Sequence, residues 1–232
     1  MDIAVLIAVL IGGLPPLVWL WFWFHEDSNA EPKLAVFSIF LLGGISVYAA
    51  IFFETIVGIV FTGTLMIIGY AVVEEVIKSA VGILPALKKG LIDESIDYPI
   101  YMITAALGFA FVENILFLSN DASLKNAELL LVTGNLRFLG ATVLHGAAAG
   151  IIGIALAYRH QTKSFVLKIL FLVCGLLMAI ILHSAFNLLI LTGTESYSFI
   201  VVFGSLWIVT MVILFLMERV RILPHHNKVK KV

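Results

Sequence analysis

Residues 34–87 decide the fold, and they read LAVFSIFLLGGISVYAAIFFETIVGIVFTGTLMIIGYAVVEEVIKSAVGILPAL. A helix needs roughly 20 apolar residues to cross a bilayer, so this stretch is long enough for two crossings. No charged residue marks the turn between them. We predict that the chain turns at residues 61–64, because Gly63 can adopt the backbone conformation of a tight bend. Two membrane helices of about 25 residues each then fit into the stretch.

The composition of the whole chain indicates a membrane protein. Hydrophobic residues make up 62% of the 232 residues and charged residues only 12%, so a water-soluble globule would lack the polar side chains to cover its surface. Backbone polar groups in a bilayer must be satisfied within the fold. Long apolar runs without strand alternation therefore predict an all-α, polytopic transmembrane helical bundle. The single cysteine, Cys174, excludes an intrachain disulfide.

The number and direction of the helices follow from the apolar runs and from the loop charges. We predict seven transmembrane helices, near residues 3–24, 34–60, 65–87, 98–119, 137–158, 166–191 and 197–217. Lysine and arginine gather on one side of this arrangement, whereas the other side holds only Lys125 and, at a helix entrance, Arg137. Because positive charge favours the cytoplasmic side, we expect the N-terminus outside and the C-terminus inside.

Ionisable residues inside the predicted helices are the candidates for function, because such groups are costly in a bilayer unless they are paired or hydrated. The polar residues are Glu54 in the second helix, Glu74, Glu75 and Lys78 in the third, Glu113 and Asn114 in the fourth, His145 in the fifth, and His183 and Asn187 in the sixth. Counted from the predicted outer helix ends, the glutamates and histidines of the third to sixth helices lie about 9–15 Å deep. We therefore expect them to share one layer of the membrane.

Spacing within the helices brings some of these side chains onto common faces. Glu74 and Lys78 are four residues apart with the acid first, so Lys78 can compensate one carboxylate. His183 and Asn187 have the same spacing and point into the same space. Glu75 projects about 100° away from Glu74. We expect one of the two glutamates to reach a shared centre and the other to support it or to bind a neighbouring helix.

Charge balance indicates what this layer needs. The three glutamates of the third and fourth helices have only Lys78 near them, which leaves an excess of negative charge. A protonated carboxyl, an ion pair with Arg137 or a bound divalent cation would each resolve the excess. Two imidazoles and a carboxylate around a water suit zinc, with a second glutamate as general base. The same groups could also activate water without metal, while an imidazole and an amide stabilise an oxyanion.

Four short motifs occur in order along the chain, namely EEVIK at 74–78, FAFVEN at 109–114, HGAAAG at 145–150 and HSAFN at 183–187. Together they resemble the PrsW family of intramembrane proteases, itself distantly similar to the type II CAAX prenyl endopeptidases. The resemblance implies catalytic roles for Glu74, Glu75, Glu113, His145, His183 and Asn187. PrsW proteins are described as metalloproteases, which implies a metal site, with zinc at His145, His183 and Glu113 as the expectation, whereas the prenyl endopeptidases imply water activation by Glu and His without metal. We expect supporting roles for Lys78, Asn114 and Arg137.

The helix positions, the basic residues of the last segment and the family resemblance together predict the domain division and the biological setting. Residues 1–218 would form a transmembrane peptidase domain and residues 219–232 a basic cytoplasmic tail in contact with anionic lipid. The expected partners are the lipid bilayer and a membrane-tethered protein substrate such as an anti-sigma factor, with no nucleic acid. The expected location is a prokaryotic cell membrane.

Other interpretations compete with a peptidase. A single intramembrane histidine or asparagine is more often a hydrogen bonder between helices than a catalyst, and Glu54 alone fits a structural role as well as a functional one. Acids and imidazoles from four helices at one depth favour an active site. A proton- or cation-coupled transporter with a Glu and His relay is the alternative function, although no inverted repeat supports it. A non-catalytic assembly partner is the third hypothesis.

Overall fold

The computed structural model describes residues 3–26, 31–120, 124, 127–192 and 196–223. Within these ranges the chain forms seven helices and no β-strand, which confirms the all-α prediction. We number the helices α1 (Ile3–Glu26), α2 (Lys33–Val60), α3 (Gly63–Lys89), α4 (Asp97–Leu118), α5 (127–161), α6 (Phe165–Thr192) and α7 (Ser196–Arg221). Most of the predicted basic tail, residues 224–232, lies outside the described residues, as does Lys125.

The turn between α2 and α3 lies where the sequence predicts it. Phe61 and Thr62 adopt extended backbone conformations after α2 ends, and α3 begins at Gly63. Gly63 has a φ of 58°, a left-handed conformation that a residue without a Cβ adopts at little cost. This turn keeps Glu74 in the first half of α3, at the same end of the bundle as the last turns of α2.

The start of α5 differs from the prediction, which placed it at residue 137. The chain is helical from Ala127 and passes through a π-helical segment, Arg137–Ala141, before it continues to Gln161. The polar residues near Arg137 are accommodated within this helix. The Asn135 side chain donates to the carbonyl of Leu131 at 3.0 Å. Arg137 therefore lies within a continuous helix and not at its entrance.

Six of the seven described helices are long and apolar enough to cross a membrane. The exception is α3, because every stretch of 18 residues in it contains Glu74, Glu75 and Lys78. Large apolar side chains face outward from the bundle, and Ile59, Phe165 and Ile200 are each at least 75% exposed. The protein is therefore an integral membrane protein, and its orientation stays a prediction.

The central helix is α4, which packs against α1, α2, α3 and α5 and is buried throughout residues 101–110. Two glycines bring α2 and α4 into backbone contact. A Cβ on Gly43 would collide with the carbonyl of Ala105, and one on Gly108 would collide with the carbonyl of Phe40. On the other side, α3 packs against α6 and α5 against both α4 and α6. These contacts surround the second half of α4 with the helices that carry the predicted site residues.

Candidate active site

Lys78 is the central cation of the predicted layer, and its side chain is fully buried. Its Nζ lies 2.6 Å from Oε1 of Glu75 and 3.5 Å from Oε2 of Glu74, both on the same helix. The third contact crosses to α5, where Nδ1 of His145 is 2.8 Å away. One ammonium thus compensates two adjacent carboxylates, which the i,i+3 and i,i+4 spacing on α3 permits.

Glu75 orients the histidine of α6. Its Oε1 lies 2.7 Å from Nδ1 of His183, and Glu75 itself has no solvent exposure. A carboxylate only accepts hydrogen bonds, so Nδ1 carries the hydrogen and Nε2 of a neutral His183 is left with a lone pair. That Nε2 lies 3.9 Å from Oε2 of Glu74. A carboxylate behind an imidazole is the usual device for fixing the ring of a metal-binding histidine.

His145 connects Lys78 to a second layer of polar groups. An ammonium only donates, so Nδ1 of His145 accepts from Lys78 and Nε2 carries the hydrogen. Nε2 donates to Oε2 of Glu113 at 3.0 Å. The ring of His145 meets that of His183 edge-on, with centroids 5.3 Å apart. Glu113 and Glu74 are thus on opposite nitrogens of the same imidazole.

The second layer joins α4 to the π-helical segment of α5. Arg137 donates from Nη2 to Oε2 of Glu113 at 2.6 Å and from Nε to Oδ1 of Asn114 at 2.5 Å. Asn114 in turn donates to the hydroxyl of Thr142 at 3.0 Å. The sequence suggested pairing of an acid with Arg137, but it gave no role to Thr142. The signal for Thr142 was its position three residues, about one helical turn, before His145.

A groove reaches this cluster from the surface of the bundle. It has a volume of about 280 Å³ and is lined by residues of α2, α3 and α4, including the carboxyls of Glu54, Glu74 and Glu113. Its remaining walls are apolar, with Val47, Ala50, Ile51, Phe109, Leu116 and Phe117. Glu54, which the sequence left undecided, therefore shares a surface with two of the predicted site residues.

Asn187 is the predicted residue that stands apart. It lies one turn beyond His183 on α6 and is half-buried, as the i,i+4 spacing requires. It forms no hydrogen bond with any residue that the structure describes. The other eight predicted site residues form one connected set of hydrogen bonds and ion pairs.

The donors that fit a metal ion are Oε2 of Glu74 and the facing nitrogens of His145 and His183. The ligand atoms of these three buried residues all lie within 4.8 Å of one another. Oε2 of Glu74 is buried and has no hydrogen-bond partner among the described residues, so it can serve as a ligand to a cation. Nδ1 of His145 faces Lys78, so Lys78 must release this nitrogen before it can bind a cation. Glu113, the carboxylate expected from the sequence, instead contacts the far nitrogen of His145.

The comparisons with known proteins agree with this geometry. A family profile described as "PrsW family intramembrane metalloprotease" matches residues 31–217. The match contains α2 to α6 completely and most of α7, and it includes all of the residues that form the groove and the polar cluster. No curated protein and no solved structure matches the chain.

Proposed function

The chain belongs to the PrsW family of intramembrane metalloproteases, and on this premise we propose that it hydrolyses a peptide bond of a membrane-tethered protein at the groove of Glu54, Glu74 and Glu113. One observation carries the proposal. Oε2 of Glu74 is a buried carboxylate oxygen without a hydrogen-bond partner among the described residues, and two histidine nitrogens lie within 4.0 Å of it. Glu74 is also one of the residues that line the groove.

We propose zinc as the cofactor, held by Glu74, His145 and His183. Two imidazoles and a carboxylate are a common ligand set for catalytic zinc. When bound, the cation supplies Lewis acidity to the scissile carbonyl and to the attacking water. The charges support a cation, since the carboxyls of Glu54, Glu74, Glu75 and Glu113 have only two permanent cations, Lys78 and Arg137, in the cluster.

Glu75 and Lys78 position these groups. Glu75 is fully buried and does not line the groove, so its part is to hold the ring of His183. Lys78 keeps both glutamates of α3 compensated while it contacts His145. Because the two glutamates differ in access to the groove, Glu74 is the one that reaches the substrate.

Glu113 is the candidate general base. Its side chain is 30% exposed, it lines the groove, and both of its contacts use Oε2, which leaves Oε1 available to a water. Glu113 takes a proton from the attacking water and transfers it to the leaving nitrogen as the peptide bond breaks. Arg137 and Asn114 hold Glu113 and its helix in place for this transfer.

The substrate class follows from the family resemblance. We propose an anti-sigma factor with a membrane anchor, in a prokaryotic cell membrane. The groove lies at the end of the bundle that holds the α2–α3 turn, which is the outer face if the predicted orientation is right. Cleavage would then occur close to the outer surface of the membrane that holds the protein.

The proposal is tested by replacing Glu74 with its uncharged isostere. The purified protein is reconstituted with a set of single-span membrane proteins, including anchored anti-sigma factors, and new N-termini are counted by mass spectrometry. Glu74→Gln should lower cleavage at least about 100-fold, because loss of a ligand costs more than loss of a group behind a ligand. The matched control is Glu218→Gln, which changes an exposed glutamate of α7 and should cleave normally.

Undiminished cleavage by Glu74→Gln would remove Glu74 from the reaction centre. An absence of new N-termini with the zinc-loaded wild-type protein would contradict a protease altogether.

A further inference from the structure

The groove between α2 and α4 has a shape that follows from their crossing. The two helices touch through their backbones at Gly43 and Gly108. The groove is lined by later residues of both helices, from Val47 to Glu54 on α2 and from Phe109 to Phe117 on α4. We call this groove beyond the crossing the wedge, and Glu74 of α3 also lines it.

The size and walls of the wedge suit a peptide segment. Its volume of about 280 Å³ is near the lower end of the roughly 300–1,000 Å³ range of ligand pockets. The apolar walls can receive side chains. An unwound segment also exposes backbone N–H groups, which cannot stay unpaired in a membrane and can donate to the carboxylates.

The ionisable residues that line the wedge are acidic. Three glutamates line it, and none of the described lysines or arginines does. Two of these carboxyls have a cation behind them, since Glu74 is 3.5 Å from Lys78 and Glu113 is 2.6 Å from Arg137. Glu54 forms no ion pair within 4.0 Å with any described residue, although it is half-buried in a membrane helix. Glu54 is therefore the carboxyl of the wedge with which a lysine or arginine of the occupant can pair.

We propose that the wedge binds a substrate segment with a lysine or arginine immediately beside the cleaved bond, and that Glu54 is the specificity-determining residue that selects it. This inference rests on the proposed function for the nature of the occupant. It adds a substrate class, namely a membrane-anchored segment with a basic residue at the cleavage position. Glu54 and Glu74 line the same groove, so a basic side chain on Glu54 places the neighbouring peptide bond at Glu74.

The test measures binding separately from cleavage. Three fluorescent decapeptides with alanine and leucine flanks carry lysine, glutamine or glutamate at the centre, and their Kd values are determined by anisotropy. The protein is held in phosphatidylcholine nanodiscs, whose zwitterionic headgroups give the charged peptides no net surface attraction. The wild-type protein should bind the lysine peptide about tenfold more tightly than the glutamate peptide.

Two variants assign this preference to Glu54. Glu54→Gln should bring the ratio of the two Kd values close to one, and Glu54→Lys should invert it. The matched control is Glu218→Lys, the same charge reversal at an exposed position of α7, and it should leave the ratio unchanged. If Glu54→Lys does not fold, the isosteric Glu54→Gln still decides the question.

The results that overturn the inference are distinct from those that overturn the protease. Equal Kd values for the three peptides with the wild-type protein, no binding of any peptide, or a ratio that Glu54→Gln leaves unchanged would each refute the selection by Glu54. Cleavage of membrane proteins without any charge preference would leave the protease intact and refute only the inference. A preserved, Glu54-dependent binding preference without cleavage would refute only the protease.

Discussion

Two clusters of potential metal ligands lie near opposite ends of α4, and they differ in composition and in hydrogen bonding. The first contains Glu74, His145 and His183, and the second contains Glu31, Asp93 and Asp97. In each cluster the three potential ligand atoms lie within 4.8 Å of one another. Asp97 begins α4 and Glu113 lies 16 residues later, so the clusters are about 24 Å apart along the helix.

The difference lies in how the carboxylates are satisfied. Oδ2 of Asp97 accepts the backbone N–H groups of Asp93 and Glu94 at 2.8 and 2.7 Å, and the hydroxyl of Tyr101 donates to Glu31. These bonds fix the turn between α3 and α4. The other cluster combines two imidazoles with a carboxylate oxygen that has no hydrogen-bond partner among the described residues. Proximity of acids alone therefore does not identify a metal site, whereas the combination of two imidazoles with a buried carboxylate oxygen that lacks a hydrogen bond favours one.

The largest expected effect on stability comes from Lys78. Lys78→Met should lower the free energy of unfolding by about 3–5 kcal/mol, because it leaves the buried carboxylates of Glu74 and Glu75 without a cation. The measurement is denaturant-induced unfolding in mixed micelles with a chelator present. Added zinc should recover part of the loss if it replaces the missing charge.

The control for this variant is Lys163→Met, at an exposed lysine between α5 and α6, which should change stability by less than about 0.5 kcal/mol. A loss below about 1 kcal/mol in Lys78→Met would show that the two carboxylates do not depend on this ammonium.

A smaller effect is expected at the other cluster. Asp97→Ala should lower the free energy of unfolding by about 1–2 kcal/mol, because two backbone N–H groups lose their acceptor. Cleavage should stay within about threefold of the wild-type rate once the protein is folded. Asp97→Asn keeps an acceptor oxygen and should restore most of the stability. A folded Asp97→Ala protein without activity would contradict the purely structural role of this cluster.

Much of the fold could be predicted, because in a lipid bilayer the length of an apolar stretch of sequence is the strongest indication of a helix. The turn at Gly63 follows from the conformational freedom of this one glycine. The positions of the six helices other than α5 follow from the lengths of the apolar runs. The start of α5 could not be predicted, because Asn135 and Arg137 are typical loop residues. Here their side chains find partners, one on the carbonyl of Leu131 and the other on Glu113. These partners depend on how the helices pack, and a hydropathy pattern carries no information about packing.

The candidate site was predictable to a similar degree. Ionisable residues within spans are costly, so the sequence identifies the members of the cluster, with Glu54 as an undecided case. The sequence does not determine which atoms meet. The contact of Glu113 with the far nitrogen of His145, and the position of Glu74 in the groove, depend on side-chain directions across three helices. The cluster of Glu31, Asp93 and Asp97 was not predicted at all, since acids at helix ends are ordinarily solvated.

The most direct test of the central claim is the metal content of the purified protein, measured by plasma mass spectrometry for the wild-type chain, His183→Ala and Asp97→Ala after equilibration with zinc. We predict one tightly bound zinc per chain in the wild-type protein and in Asp97→Ala, and none in His183→Ala. Retention of zinc by His183→Ala, or its loss from Asp97→Ala alone, would contradict the assignment of the reaction centre to Glu74, His145 and His183.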